Sequence, residues 1–248
     1  MKLNRQPVSQ TSFADSSPVL VNGKPMTYGV GPVFLRRDHH SVEGPMATLQ
    51  AIPSAVPPGF LGVSTNEGDQ PGSVTFDAAT GGITLRGSGA DIFSSVDGYY
   101  FLTQPVAGDF RITAKLLTLP TATSEWAHAG VMIRDSLQPD ARHAFVTVTA
   151  EHGLQVKRRA APGDTTEAQN LIPKDQIKPP MLLRLTRRGS TIAAESSTDN
   201  GGSFQPAGQP VTFDPPLAST VYAGLAITAH DESQVSEAKF SGLEIRKR

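Results

Sequence analysis

From residue 58 onward, apolar and polar residues alternate in short runs, and each run is stopped by Gly, Pro, Asp or Asn. Side chains on a strand alternate between its two faces, whereas a helix repeats every 3.6 residues, so this pattern points to strands. In FRITAKLL (110–117), Phe110, Ile112, Ala114 and Leu116 share one face, while Arg111, Thr113 and Lys115 share the other. HAFVTVTA (143–150) alternates in the same way. AGVMIR (129–134) is almost continuously apolar, as a central strand covered on both faces should be. Further runs lie at 73–76, 82–86, 98–104, 154–158, 181–187, 191–197, 221–228 and 238–246, with turn signals at Thr80-Gly81-Gly82 and Arg188-Gly189-Ser190. No helical period of useful length occurs; only the N-terminal arm, 136–142 and 167–177 leave room for a helix. The pattern predicts an all-β chain, a sandwich or barrel of antiparallel strands.

At 248 residues such a chain buries a core without staples. It has no cysteine, which excludes a disulfide framework, a CxxC zinc site, an iron–sulfur cluster and a cysteine nucleophile. Lys+Arg 22 against Asp+Glu 23 leaves a net charge of −1, which excludes the broad basic surface that nucleic acid requires. No apolar run approaches the ~18–20 residues of a transmembrane helix. The first residues hold no signal-peptide core, since Pro18-Val19-Leu20-Val21 is their longest apolar stretch. The expectation is a chain on the cytoplasmic side.

Residues 1–57 read differently from residues 58–248. They contain Pro7, Pro18, Pro25, Pro32, Pro45, Pro53 and Pro57, and each removes a ladder donor and fixes φ, so no regular ladder is expected there. One reading is a flexible linker. The other starts from Met26, Tyr28, Val30, Val33, Phe34 and Leu35, an apolar cluster of a kind that solvated tails lack. It is explained if the arm lies on its own sandwich or on a protein partner.

Several chemistries lack their motif. Two acids two residues apart on one strand face, as sandwich glycosidases use, do not occur within any predicted strand. Asp69, Asp77, Asp91, Asp97, Asp109, Asp135, Asp199 and Asp231 stand singly or at turns. His39, His40, His128, His143, His152 and His230 form neither HxH nor HExxH and read as solvated surface residues. GxSxG, GxGxxG and the phosphate loop are absent. Asn66-Glu67-Gly68-Asp69 and Asp199-Asn200-Gly201 are oxygen-rich turns that a calcium ion could use, although Asp, Asn and Gly stabilise turns without any ion. The expectation is no cofactor, with calcium as the one candidate metal. Ser197-Thr198-Asp199-Asn200-Gly201-Gly202-Ser203-Phe204 fits the Asp-box pattern, Ser-x-Asp-x-Gly-x-x-aromatic. In this structural turn Asp199 accepts backbone N–H groups, Gly201 takes a positive φ and Phe204 packs underneath. Trp126, placed on a loop before AGVMIR, and the adjacent Tyr99 and Tyr100, one facing in and one out, are the candidate stacking platforms for a sugar.

The order of these motifs resembles a concanavalin-A-like β-sandwich, and more closely the bacterial laminin-G-like domains of the "regulation of enolase protein" family of unknown function. The resemblance spans about 58–246. It rests on Asp91…Asp97-Gly98, Gly108-Asp109-Phe110, the AGVMIR strand and Ala223-Gly224-Leu225-Ala226. It implies a jelly roll of two antiparallel sheets with a concave face, and it supplies no catalytic residues. Where relatives commonly carry Trp after Asp-Ile, this chain has Phe93. Arg134 is expected to be a buried structural arginine paired with a carboxylate such as Asp97 or Asp109.

Three functions follow as expectations. The first is a non-catalytic interaction or assembly subunit, docked through residues 1–57 onto a larger complex, such as one at a membrane face. The second is a carbohydrate-binding module using Trp126, Tyr99 or Tyr100. The third is a glycosidase or lyase, which the missing acid spacing disfavours.

Overall fold

A computed structural model describes residues 56–66, 68 and 70–248 in full, and the strand backbone at 26–30, 33–35, 41–43 and 47–51. The chain divides into two units, Met1–Ala55 and Val56–Arg248. In the first, strand β1 (Met26–Val30) pairs with β4 (Ala47–Ala51), and β2 (Val33–Leu35) pairs with β3 (Ser41–Glu43), both antiparallel. This corrects the expectation that prolines exclude ladders from the arm. Pro32 and Pro45 fall between these strands in the sequence and Pro25 and Pro53 just outside them, so they limit ladder length without preventing pairing.

The second unit is an all-β sandwich, as the alternation predicts. Its strands are β5 (Leu61–Thr65), β6 (Ser73–Asp77), β7 (Gly82–Gly89), β8 (Tyr99–Ala107), β9 (Phe110–Leu116), β10 (His128–Arg134) and β11 (His143–Thr149). They continue as β12 (Gly153–Arg159), β13 (Glu167–Ile172), β14 (Met181–Arg188), β15 (Thr191–Ser197), β16 (Gln205–Pro206), β17 (Val211–Thr212), β18 (Thr220–Thr228) and β19 (Asp231–Lys247). One antiparallel sheet runs β13-β12-β11-β10-β18-β8-β5. The other runs β16-β15-β14-β9-β19-β7-β6, with β17 also on β15. The chain crosses repeatedly between the sheets, for example from β7 to β8, β8 to β9 and β9 to β10, and again from β17 to β18 and β18 to β19, giving the expected jelly-roll sandwich. Neither 136–142 nor 167–177 is α-helical. Residues 167–172 form strand β13, and only a single 3₁₀ turn, Lys174–Gln176, follows. Among the described residues no helix is long and apolar enough to cross a membrane.

The core lies between the sheets. Phe110, Ile112, Ala114 and Leu116 of β9 all point into it, fully buried, and meet Val131, Val146, Leu183, Leu185, Leu225 and Phe240. Strand β10 is buried at every position because the far side of its sheet is covered too. There Ile92, Tyr99, Phe101, Met132, Phe145 and Ala226 form a second apolar cluster. The cover is the chain's own segment 90–98, which joins β7 to β8.

Candidate binding site at the sheet rim

Segment 90–98 leaves and re-enters the sandwich through a narrow neck. Gly89, at φ 110°, lies so near the backbone of Gly98 that a Cβ would sit 2.2 Å from the Gly98 carbonyl oxygen. The Gly98 N–H donates to the Asp91 carbonyl at 2.8 Å and closes the loop. Over the sheet, Asp97 N–H donates to Pro139 O, Thr166 N–H donates to Phe93 O, and Arg159 reaches Ser94 O. Ile92 plugs the apolar cluster beneath, whereas Phe93 stays 43% exposed.

Beneath this cover Asp97 is fully buried between two arginines. Arg134 Nη1 donates to Oδ2 at 2.6 Å; Arg159 Nη1 donates to Oδ2 at 2.7 Å, and its Nη2 to Oδ1. Arg134 also donates to the carbonyls of Gln138 and Pro139. A buried charge needs this degree of hydrogen bonding to offset its desolvation. Of the two acids open to Arg134, Asp97 is therefore the partner, while Asp109 accepts from Gly189 N–H at 2.7 Å. His143 lies beside this group, and Arg134 Nη1, which can only donate, is 3.3 Å from its Nδ1. Burial, with Arg134 and Arg159 alongside, pushes its pKa well below the usual imidazole range.

A second polar group occupies one end of the same sheet. His128 opens β10, His230 turns between β18 and β19, and Asp91 follows β7. Lys157 Nζ lies 3.6 Å from Asp91 Oδ1 and donates to Ile92 O at 3.2 Å. It is also 3.4 Å from His128 Nε2, which must accept, so the proton of that neutral ring sits on Nδ1 and is donated to Trp126 O at 2.7 Å. Burial and the Lys157 charge lower the His128 pKa well below its ordinary value. His230 is held at φ 54°, a left-handed conformation rare outside glycine. Its Nδ1 lies 3.1 Å from Ser124 Oγ, and its Nε2 3.5 Å from Asp91 Oδ2. Ser124 Oγ in turn accepts from Trp126 N–H.

Trp126 thus sits in the connection before β10, half-buried at the rim, and its indole stacks on the His152 imidazole with centroids 3.5 Å apart and planes 13° from parallel. His152 Nε2 approaches Glu125 at 3.4 Å. The rim therefore gathers a fixed aromatic ring, a hydroxyl, three imidazoles, an ammonium and two carboxylates.

The other candidates fall elsewhere. Tyr99 and Tyr100 do point to opposite faces, but Tyr99 is 0% exposed because segment 90–98 covers the outer face, and Tyr100 is 5% exposed because it packs in the core between the sheets. Neither is a platform open to solvent. His128 and His143 are likewise fully buried, not solvated. Met26, Tyr28, Val30, Val33, Phe34 and Leu35 lie on β1 and β2, and their side chains fall outside the described residues. In the Asp-box hairpin Asp199 accepts from Ser197 Oγ, Ser203 N–H and Ser203 Oγ, and Gly201 stands at φ 92°. Phe204 packs under the Arg184 guanidinium, 3.1 Å from ring centroid to Cζ. Both Asp199 oxygens are occupied by protein donors, so the turn is explained without an ion. Of the other oxygen-rich turn, Glu67 and Asp69 lie outside the described residues, and Asn66 Nδ2 donates to Asp97 O. No group of three or more His, Asp or Glu among the described residues is placed to hold a metal.

Neither the rim group nor Arg159 was legible as a site. Asp91, the Ser124–Trp126 pair, Lys157 and His230 come from four separate segments, and no spacing in the sequence relates those segments. The lone local sign is the His230-Asp231 turn between two alternating runs.

No protein-family model matches the chain, and no curated protein is significantly similar to it in sequence. Among solved structures, a functionally unknown protein from Saccharomyces cerevisiae is similar in fold, with a TM-score of 0.57 and 15% identity over 75% of this chain and 96% of that one. Arcelin-5, a lectin-like defense protein from Phaseolus vulgaris, is similar at a TM-score of 0.47 and 9% identity, over 77% of this chain and 100% of that one. The GH43 protein BlXynB from Bacillus licheniformis is similar at 0.48 and 13%, over 88% of this chain and 46% of that one.

Proposed function

We propose that the sandwich is a non-catalytic domain that binds a saccharide at the rim formed by Trp126, Ser124, His230 and Asp91. The observation that carries this reading is the Trp126–His152 stack. Stacking fixes the indole before a ligand arrives, so little side-chain entropy is lost on binding. An aromatic ring offers its apolar face to the C–H face of a sugar, and neighbouring carboxylate, imidazole and hydroxyl groups match the sugar hydroxyls. Against glycosidase chemistry, which needs two free carboxyl groups flanking one bond, stands the burial of Asp97 between two guanidiniums under segment 90–98. On the motifs at 91–98, 108–110, 129–134 and 223–226, we place the chain with the laminin-G-like domains of the regulation-of-enolase family.

Glycan-array binding tests the proposal. The wild-type protein is expected to select a sugar, Trp126→Ala to abolish that signal with unchanged circular dichroism, and His152→Ala to weaken it. A blank array with folded wild-type protein, or undiminished binding by Trp126→Ala, overturns it.

A second reading, an assembly subunit docked through its arm, is favoured by one observation: Met26, Tyr28, Val30, Val33, Phe34 and Leu35 all fall on strands of the N-terminal unit. Affinity capture of partners with and without residues 1–55 tests it, and equal recovery ends it.

A further inference from the structure

A pocket of about 270 Å³ opens on the outer face of the eight-stranded sheet, lined by Arg111, Arg184, Arg246, Glu244, Phe204 and Leu182 among others. We propose that it is an oxyanion-binding site, taking a carboxylate, sulfate or phosphate group, and that Arg111 is the residue that reads the anion.

The strand register builds it. Arg111 on β9 lies directly opposite Arg246 on β19, and Arg184 on β14 lies opposite Thr113, the next residue of β9 on the same face. Like charges facing each other across a ladder repel, and the arrangement persists only if something offsets them. The one acid lining the pocket, Glu244, is taken by Arg246 at 2.6 Å. Arg184 is held from three sides: Phe204 beneath it, Thr113 Oγ1 accepting from its Nε at 3.2 Å, and Glu195 at 3.8 Å. Arg111 makes no ion pair among the described residues, and its buried Nε has no hydrogen-bond partner.

The result is local. Three guanidiniums and one carboxylate line the pocket, in a chain whose net charge is −1. A guanidinium presents a planar fork of donors that matches an oxyanion in two-point geometry. The Asp-box hairpin has a role here beyond its own turn: by carrying Phe204 under Arg184 it fixes that guanidinium in place, beside the free one. An entering anion would satisfy the unpartnered Nε of Arg111 and offset its repulsion with the facing Arg246. This site lies on the opposite sheet from the rim and does not depend on the saccharide reading.

Arginine Nε–Hε signals in a ¹H–¹⁵N spectrum test the inference directly. Sodium sulfate, sodium phosphate and sodium galacturonate are titrated separately, each against sodium chloride at matched ionic strength. The expected result is a saturable shift of the Arg111 signal with at least one of the three and none with chloride; the anion that saturates at the lowest concentration identifies the preferred geometry. Arg111→Gln should weaken that binding by about tenfold or more, the loss of a charge-assisted pair. Arg111→Lys should retain part of it, and Trp126→Ala should leave it unchanged. Arg111 lies at the sheet surface, so both Arg111 variants are expected to fold, and their circular dichroism verifies it. The inference is overturned if the shifts are linear in salt and equal for chloride, or if folded Arg111→Gln binds as tightly as the wild type.

Discussion

Asp97 and Arg159, 62 residues apart in sequence, meet in a two-point contact inside the protein, Nη1 on Oδ2 at 2.7 Å and Nη2 on Oδ1, with both side chains fully buried. This contact ties the segment joining β7 to β8 across the outer face of β12. It converts what a two-layer sandwich would leave as an open sheet face into a third, local layer. Arg134 shares the same carboxylate, so one acid anchors two strands and one loop.

Removing one member of that group leaves the others charged, buried and unpaired. Asp97→Ala is therefore expected to destabilise the protein by about 3–5 kcal/mol. Arg159→Met should cost a comparable amount, because Arg134 cannot replace its hydrogen bonds to Ser94 O and Asp164 O. Urea unfolding followed by tryptophan fluorescence measures both. A loss of under about 1 kcal/mol for Asp97→Ala would show that the network is dispensable.

Ile92 and Phe93 separate the buried from the exposed part of the same segment. Ile92 is 0% exposed and Phe93 43%. Ile92→Ala should cost about 2–5 kcal/mol through the cavity it leaves. Phe93→Ala should cost under about 1 kcal/mol, although phenylalanine is the larger residue. Hydrogen exchange at 90–98 should rise sharply in the first variant and little in the second.

Stability should fall as the solution is acidified below about pH 6.5, the ordinary histidine pKa. His128 and His143 have folded pKa values well below that figure, so the unfolded chain takes up protons that the folded chain refuses. Their contribution is complete above the unfolded pKa and is lost as pH drops toward the folded value. The slope is at most about 1.4 kcal/mol per pH unit for each ring. Thermal melts between pH 8 and 5 should show the decline, and His143→Gln should make it shallower. A melting temperature flat across this range in the wild type would contradict the buried, neutral assignment.

Hydrogen bonds from Ser197 and Ser203 hold the Asp199 carboxyl well below the usual carboxylate range. The turn is accordingly expected to persist in acid and to need no calcium. Excess chelator should leave the melting temperature of the wild type unchanged, and Asp199→Ala should lower it with or without chelator. A chelator-induced drop that calcium reverses would assign a cation to one of the two oxygen-rich turns.

The local sequence was sufficient for strands whose two faces differ. Phe110 through Leu116 alternate because one face meets the core and the other the surface, and this strand lies where its alternation places it. Gly201 and Asp199 were equally readable, since an Asp-box turn closes on itself within eight residues. Strand β13 was not legible: EAQNLI has no apolar alternation, because it is an edge strand held by backbone pairing with β12. Tyr99 illustrates a different failure. Alternation correctly sends it to the face opposite Tyr100, but only the path of segment 90–98 makes that face an interior. The rim group and the arginine pocket are of the same kind. Asp91 meets His230, and Arg111 meets Arg246, across distances in sequence that no motif spans. A residue's own neighbours decide its backbone conformation through short-range sterics and hydrogen bonding; the charges it meets are decided by strand register and by how the layers stack.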